Sequence, residues 1–275
     1  MTADPEDWLV SIIDTVLGRQ DGLLVVIETY FDESYGPGGT FCVAGYAFAK
    51  SDIGRFNVSW REMLARYELP FFRMSACAHG RGPFDGLTKD QCIAAEIEAI
   101  DLIKDYALCG FAVTVDPEDY DRVVKHGKRH LAPSPYELCV WWVALQASIW
   151  TTEAGVDRVA FLFEAGDQNS GRALTLLNKV AQHPAAKAVL PNWSMTLVRK
   201  EEAPPCQAAD LLAWQWFTDG KRQRRGEGRR KDLQRLVEAR HNVMHADAAF
   251  LQETMDGMRR AFAMPSEAAS PARSS

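Results

Sequence analysis

The chain has 275 residues, 47% of them hydrophobic and 10% aromatic, which is enough to bury a core as one large domain or two small ones and excludes extensive disorder. Its longest apolar runs, such as 23–27 and 138–145, fall short of the roughly 20 residues that cross a bilayer, and the acidic N-terminus with Asp4, Glu6, Asp7 and Asp14 argues against a signal peptide. The net charge of −6 hides a strip from Lys221 to Lys231 with seven basic residues and one acid, set in a chain otherwise at −12. Cys42, Cys77, Cys92, Cys109, Cys139 and Cys206 are scattered with no CxxC pair, the pattern of reduced thiols in a cytoplasmic protein.

In chain order, residues 6–17 carry helical spacing (Trp8, Leu9, Ile12, Ile13, Val16) ahead of Gly18, and residues 1–20 read as a packing helix. Leu23 to Asp32 is β-branched and aromatic; Ser34-Tyr35-Gly36-Pro37-Gly38-Gly39 turns it into a second strand, Thr40 to Phe48. A helical insert follows over about 50–106, with helices from Ile53 to Tyr67 and Lys89 to Tyr106 around a loop from Phe71 to Gly86. Leu108 to Val115 is the third strand, and the polar stretch from Asp116 to Leu131 leads to a helix over Tyr136 to Thr152. Strand Val159 to Phe163, helix Arg172 to Val180, strand Ser194 to Val198 and helix Cys206 to Phe217 complete the order β-β-β-α-β-α-β-α. That alternation predicts one α/β domain over 21–264, a five-stranded mixed sheet with helices on its faces. The basic strip 221–231, helices near Leu233 to His241 and Ala246 to Phe262 within 232–264, and a disordered tail at 265–275 close the chain.

The chemistry-bearing residues sit at element ends. The first strand delivers Asp32 and Glu33 at its carboxyl end, where open α/β sheets bind ligands. Alternation puts Asp32 with Tyr30 and Glu28 on one side and Glu33 on the other; a turn would by itself explain Glu33 and Ser34. Glu164 stands where a second parallel strand stops, with Asp167 three residues on, able to substitute for it or to cap a helix. Asp210 lies in PPCQAADLLAWQWF, a helix without a solvent face, on the same side as Gln207. A buried carboxylate there needs a metal, a partner or a role near the first turn. Glu137 fits either a capping box with Ser134 or a fourth ligand position. His241 and His245 share a face at i,i+4 without the Glu of a metalloprotease helix, His79 lacks ligand spacing, and Trp141, Trp142, Trp214 and Trp216 read as core. No GxGxxG, Walker A or GxSxG pattern occurs.

Tyr30-Phe31-Asp32-Glu33-Ser34 before a glycine-rich turn, a carboxylate after a middle strand, and Gln207-Ala208-Ala209-Asp210-Leu211-Leu212-Ala213-Trp214 together resemble the domain of unknown function 3800 family, placed with ribonuclease H-like folds. The resemblance spans about Leu23 to Phe217. It implies a ribonuclease H-like sheet and a metal site with Asp32, Asp210, Glu164 or Asp167, and Glu137 where ribonuclease H-like enzymes keep a glutamate. Tyr35 stands where that family usually has Gly, and Arg73-Met74 where many members have His-Met. The expected activity is Mg²⁺- or Mn²⁺-dependent hydrolysis of nucleic-acid phosphodiesters, DNA or RNA left open. Arg222, Arg224, Arg225, Arg229 and Arg230 would form an exposed phosphate contact without aromatic partners, or a solvated loop. A non-catalytic adaptor and a metal-dependent phosphatase are the rivals; the oligomeric state stays open.

Overall fold

The structure, a computed structural model, describes residues 26–261 apart from 38, 125–131, 157, 165–169 and 182–192. The N-terminal helix, the C-terminal tail and Asp167 therefore lie outside the described residues.

Strands β1 (Val26–Ser34) and β2 (Phe41–Ala49) pair antiparallel, with Asp32 opposite Ala44. The two backbones approach closely: a Cβ at Gly45 would stand 1.8 Å from the carbonyl oxygen of Tyr30, so only glycine fits there. The insert follows as α1 (Lys50–Arg66), α2 (Met74–His79), a 3₁₀ turn (Gly82–Phe84) and α3 (Lys89–Tyr106). A Thr88–Gln91 capping box starts α3. Next come β3 (Cys109–Val115), α4 (Pro117–Val123), α5 (Pro135–Glu153), β4 (Arg158–Glu164), α6 (Ser170–Ala181) and β5 (Trp193–Val198). The chain continues through α7 (Pro204–Arg224), α8 (Lys231–Leu236), β6 (His241–Ala246) and α9 (Ala248–Ala261).

The sheet order is β5-β4-β1-β2-β3-β6. β2 runs antiparallel to both neighbours, while β1–β4, β4–β5 and β3–β6 are parallel. The sheet separates two cores. On one face α7 and the insert enclose Tyr30, Ala44, Tyr46, Phe56, Trp60, Phe72 and Leu211. On the other, α5 and α9 cover Phe31, Val43, Phe111, Phe161 and Val143. All six cysteines are free and buried. Among the described residues no helix is long and apolar enough to cross a membrane.

Two expectations need correction. The sheet has six strands, because the helix expected near Leu233 to His241 stops at Leu236 and His241–Ala246 pairs with β3. His241 and His245 thus share a strand face, since residues four apart do so at period 2 as well as at period 3.6. The His241 ring packs edge-on against Tyr46 at 5.7 Å and over Gly110; burial holds its pKa below the ordinary histidine value. The Thr114 hydroxyl meets His245 Nδ1 at 2.8 Å. The second correction is that α7 continues to Arg224, so the first part of the basic strip is helix. Lys221, Arg222 and Arg224 lie in its last turn, where cations suit the helix dipole.

Candidate active site at the carboxyl ends of β1 and β4

Alternation along β1 sends Phe31 into the α5 core and turns Tyr30 and Asp32 toward α7. Asp32 is 2% exposed. Parallel pairing of Phe31 with Phe163 leaves Asp32 and Glu164 side by side one residue beyond the last paired position. Asp210 enters from α7, whose two leading prolines supply no N–H at the helix start. The Met74 N–H, at the first turn of α2, donates to Asp210 Oδ2 at 2.6 Å.

The three carboxylates meet on one atom. Nζ of Lys200, in the connection from β5 to α7, lies 2.7 Å from Asp32 Oδ2, 2.8 Å from Asp210 Oδ1 and 2.9 Å from Glu164 Oε2. Burial alone would favour the neutral amine, but Asp32, Asp210 and Glu164 outweigh it and hold the ammonium well above the ordinary lysine value. Asp32 Oδ2 stands at ion-pair distance from Nζ yet outside hydrogen-bonding geometry, whereas Asp210 Oδ1 accepts a directed hydrogen bond from Nζ. Burial, partly offset by Lys200 and reinforced by Asp210 and Glu164, raises Asp32 well above the usual carboxylate range. Glu164 moves down: its own desolvation is overcome by the hydrogen bond with Asp32 and the charges of Lys200 and Arg73.

Gln207 braces this arrangement without touching the carboxylates. Its Oε1 accepts from Trp60 Nε1 at 2.9 Å and from the Phe72 N–H at 2.8 Å, and its Nε2 donates to the Lys200 carbonyl at 3.0 Å. One buried amide thus ties α1 and the strand-like approach to α2 to the main chain that delivers the ammonium. Glu33 adds a further acid: one oxygen from each of Asp32, Glu33 and Glu164 lies within 4.8 Å of the others. Asp32 Oδ1 accepts the Glu33 N–H at 2.8 Å. Ser34 ends β1 opposite Cys42, and exposed Arg73 stands at the rim, its charge reaching Glu164.

Glu137 is not brought to this cluster. Its Oε2 accepts the Ser134 N–H at 2.7 Å while the Glu137 N–H donates to Ser134 Oγ at 3.3 Å, a complete capping box on the helix that covers the opposite core.

The expectation of a basic strip without aromatic partners is also corrected, although residues 223–229 are exposed. Arg229 pairs with Asp219, itself 1% exposed, at 3.0 Å and lies over Trp216. Arg230 pairs with Asp232 and lies over Trp214. Arg224 reaches Asp116 at 2.7 Å, and Arg222 reaches Glu227 at 2.9 Å. Arg225 is the exception, largely exposed with Glu227 4.0 Å away. Lys200 is the residue that sequence reasoning missed: Arg199-Lys200-Glu201-Glu202 reads as a solvated turn, and its one signal is a position at a strand's carboxyl end shortly before Asp210.

No family model matches the chain, and no curated protein matches it. Among solved structures, the chain is similar to Bst-RNase HIII in complex with Mn²⁺, at 15% identity over 73% of this chain and 54% of that one, with a TM-score of 0.39. A point mutant of Bst-RNase HIII matches at 13% identity, 72% and 53% coverage and a TM-score of 0.39. The chain thus spans about half the length of the structures it matches.

Proposed function

We propose that this chain is a Mg²⁺- or Mn²⁺-dependent phosphodiesterase acting on nucleic acid, with Asp32, Glu164 and Asp210 as its metal-binding acids and Glu33 beside them. The observation that carries the reading is the convergence of carboxylates from β1, β4 and α7 on a single cationic atom. A site that seats an ammonium among three hard oxygen donors has the donor set that suits Mg²⁺ or Mn²⁺. A buried Asp32 oxygen without a directed hydrogen bond adds acceptor capacity. An ion bound there would supply Lewis-acid polarisation of a phosphoryl oxygen. The chain's own residues set the stage for it: Lys200 keeps three like charges together, Gln207 fixes Lys200, and the Arg73 guanidinium offers an exposed contact for a phosphate. The proposal extends to a ribonuclease H-like nuclease related to the domain of unknown function 3800 family and working in the cytoplasm. Glu137 serves it as a helix cap, and among the arginines of the basic strip Arg225 is the one available for phosphate.

One observation favours a second reading, a non-catalytic adaptor: Lys200 already neutralises part of the acidic charge in the absence of metal. Labelled DNA, RNA and hybrid oligonucleotides, incubated with Mn²⁺ or with EDTA, separate the two. The proposal expects cleavage with Mn²⁺, none with EDTA, and none from Asp210→Asn in either buffer. That variant should also lose about 1–3 kcal/mol of stability without metal, because the buried ammonium loses a charged partner. Absence of cleavage together with melting that ignores Mn²⁺ favours the adaptor; hydrolysis of a generic phosphomonoester alone makes the chain a phosphatase.

A further inference from the structure

The cation among the carboxylates belongs to the protein, and this bears on how many metal ions the site takes. Two-metal hydrolases hold ions about 3.5–4 Å apart with an acid bridging them. Here Asp32, Glu164 and Asp210 converge on one point, and Lys200 Nζ fills it. This lysine is not a loose surface chain. Its side chain is 6% exposed, its carbonyl is held by the buried Gln207 amide, and its Nζ lies 2.7, 2.8 and 2.9 Å from oxygens of Asp32, Asp210 and Glu164. Beside it stands the acid group of Asp32, Glu33 and Glu164, one oxygen of each lying within 4.8 Å of the others.

Resting on the phosphodiesterase reading above, we propose that Lys200 stands in for one of two metal ions, so that the site takes a single divalent cation held by Asp32, Glu33 and Glu164. Charge balance supports this. Four acids against one ammonium leave room for one divalent ion, whereas a second ion beside Nζ would face a fixed positive charge at close range with no further acid to offset it. The tethered ammonium keeps Asp210 and Asp32 oriented, and it cannot be removed by chelators.

Counting ions tests the proposal. The full chain, wild type and Lys200→Met, is dialysed against Mn²⁺ to saturation and bound metal is measured, with electron paramagnetic resonance reporting whether ions are spin-coupled neighbours. The expected result is one uncoupled Mn²⁺ in wild type and two coupled Mn²⁺ in Lys200→Met, whose neutral side chain of similar length vacates the second position. Two coupled ions in wild type overturn the inference and leave the phosphodiesterase reading standing. One ion in both proteins also overturns it, since the lysine then occupies no ion position. No ion in wild type overturns the inference and the metal-dependent reading together. Should Lys200→Met fail to fold, the wild-type count and spectrum alone decide: one uncoupled ion supports the proposal and a coupled pair defeats it.

Discussion

The acidic cluster at the ends of β1 and β4 and the basic segment from Lys221 to Lys231 are both concentrations of like charge, but the fold treats them in opposite ways. The acids come from positions far apart in sequence and are pressed together, with one lysine to hold them. The arginines are neighbours in sequence and are dispersed among several acids: Arg224 to Asp116, Arg229 to Asp219, Arg230 to Asp232. Crowded like charge raises the energy of the cluster and becomes useful when a cation is the ligand. Dispersed charge lowers the energy of the segment and serves to hold α7, α8 and the insert in place. Charge density along the chain therefore says little about which region is available for binding; the pairing in space decides it.

Four experiments probe that contrast. The largest effect is expected at Gln207, the brace of the acidic cluster. Gln207→Leu strands the Trp60 indole N–H and the Phe72 N–H without partners and leaves the Lys200 carbonyl only the Ala203 N–H, and chemical denaturation should show a loss of about 3–5 kcal/mol. A loss below about 1 kcal/mol would mean that Lys200 positions itself. The next separates structural from free arginines. Arg229→Gln leaves the buried Asp219 carboxylate with Gln223 as its remaining donor and should cost about 1–3 kcal/mol. Arg225→Gln should leave the melting temperature unchanged, and equal effects would erase the distinction drawn within the strip.

The third concerns pH. Glu96, buried between α3 and α8 with Gln215 Nε2 at 2.8 Å, is pushed up to about 8 by burial first and Asp232 next, against Arg230 and Gln215. The folded state then keeps a proton that the unfolded chain releases near the ordinary value of 4.5. The associated stability is full below that value and is lost as the pH rises through about 8. Melts across this range should show a decline on the order of 1–2 kcal/mol, absent in Glu96→Gln; an identical decline in the variant would place the titrating group elsewhere. The smallest effect is expected at Glu137. Removing the capping side chain in Glu137→Ala should cost about 0.5–2 kcal/mol and leave metal binding unchanged, and altered Mn²⁺ affinity would return Glu137 to the acidic cluster.

What could be read from the sequence follows from what is local. The β1–β2 hairpin is legible because β-branched residues flank a glycine-rich turn, and Asp32, Glu164 and Asp210 stand out because each interrupts an apolar segment at its end. Lys200 is illegible because its neighbours are charged and its partners are distant; nothing within Arg199 to Glu202 separates a buried lysine from a solvated one. The dispersal of the arginines is hidden for the same reason, since Asp116 and Glu96 lie far from them in sequence. His241–Ala246 misleads differently. Its two histidines share a side in a helix and in a strand alike, and it is the exposed edge of β3, not local propensity, that selects the strand.

That sixth strand has a consequence for how the chain reaches its native state. β3 lies inside the sheet because β6 covers its outer edge, and the residues that meet there are widely separated: Thr114 and His245 are 131 positions apart. During synthesis β1, β2 and β3 emerge long before their last neighbour does. Until His241–Ala246 arrives, β3 presents an unpaired row of N–H and C=O groups on a largely apolar strand, the kind of edge that recruits other chains. The closing segment thus acts as a late guard against aggregation, and chains cut short before it expose β3 to one another at the ribosome.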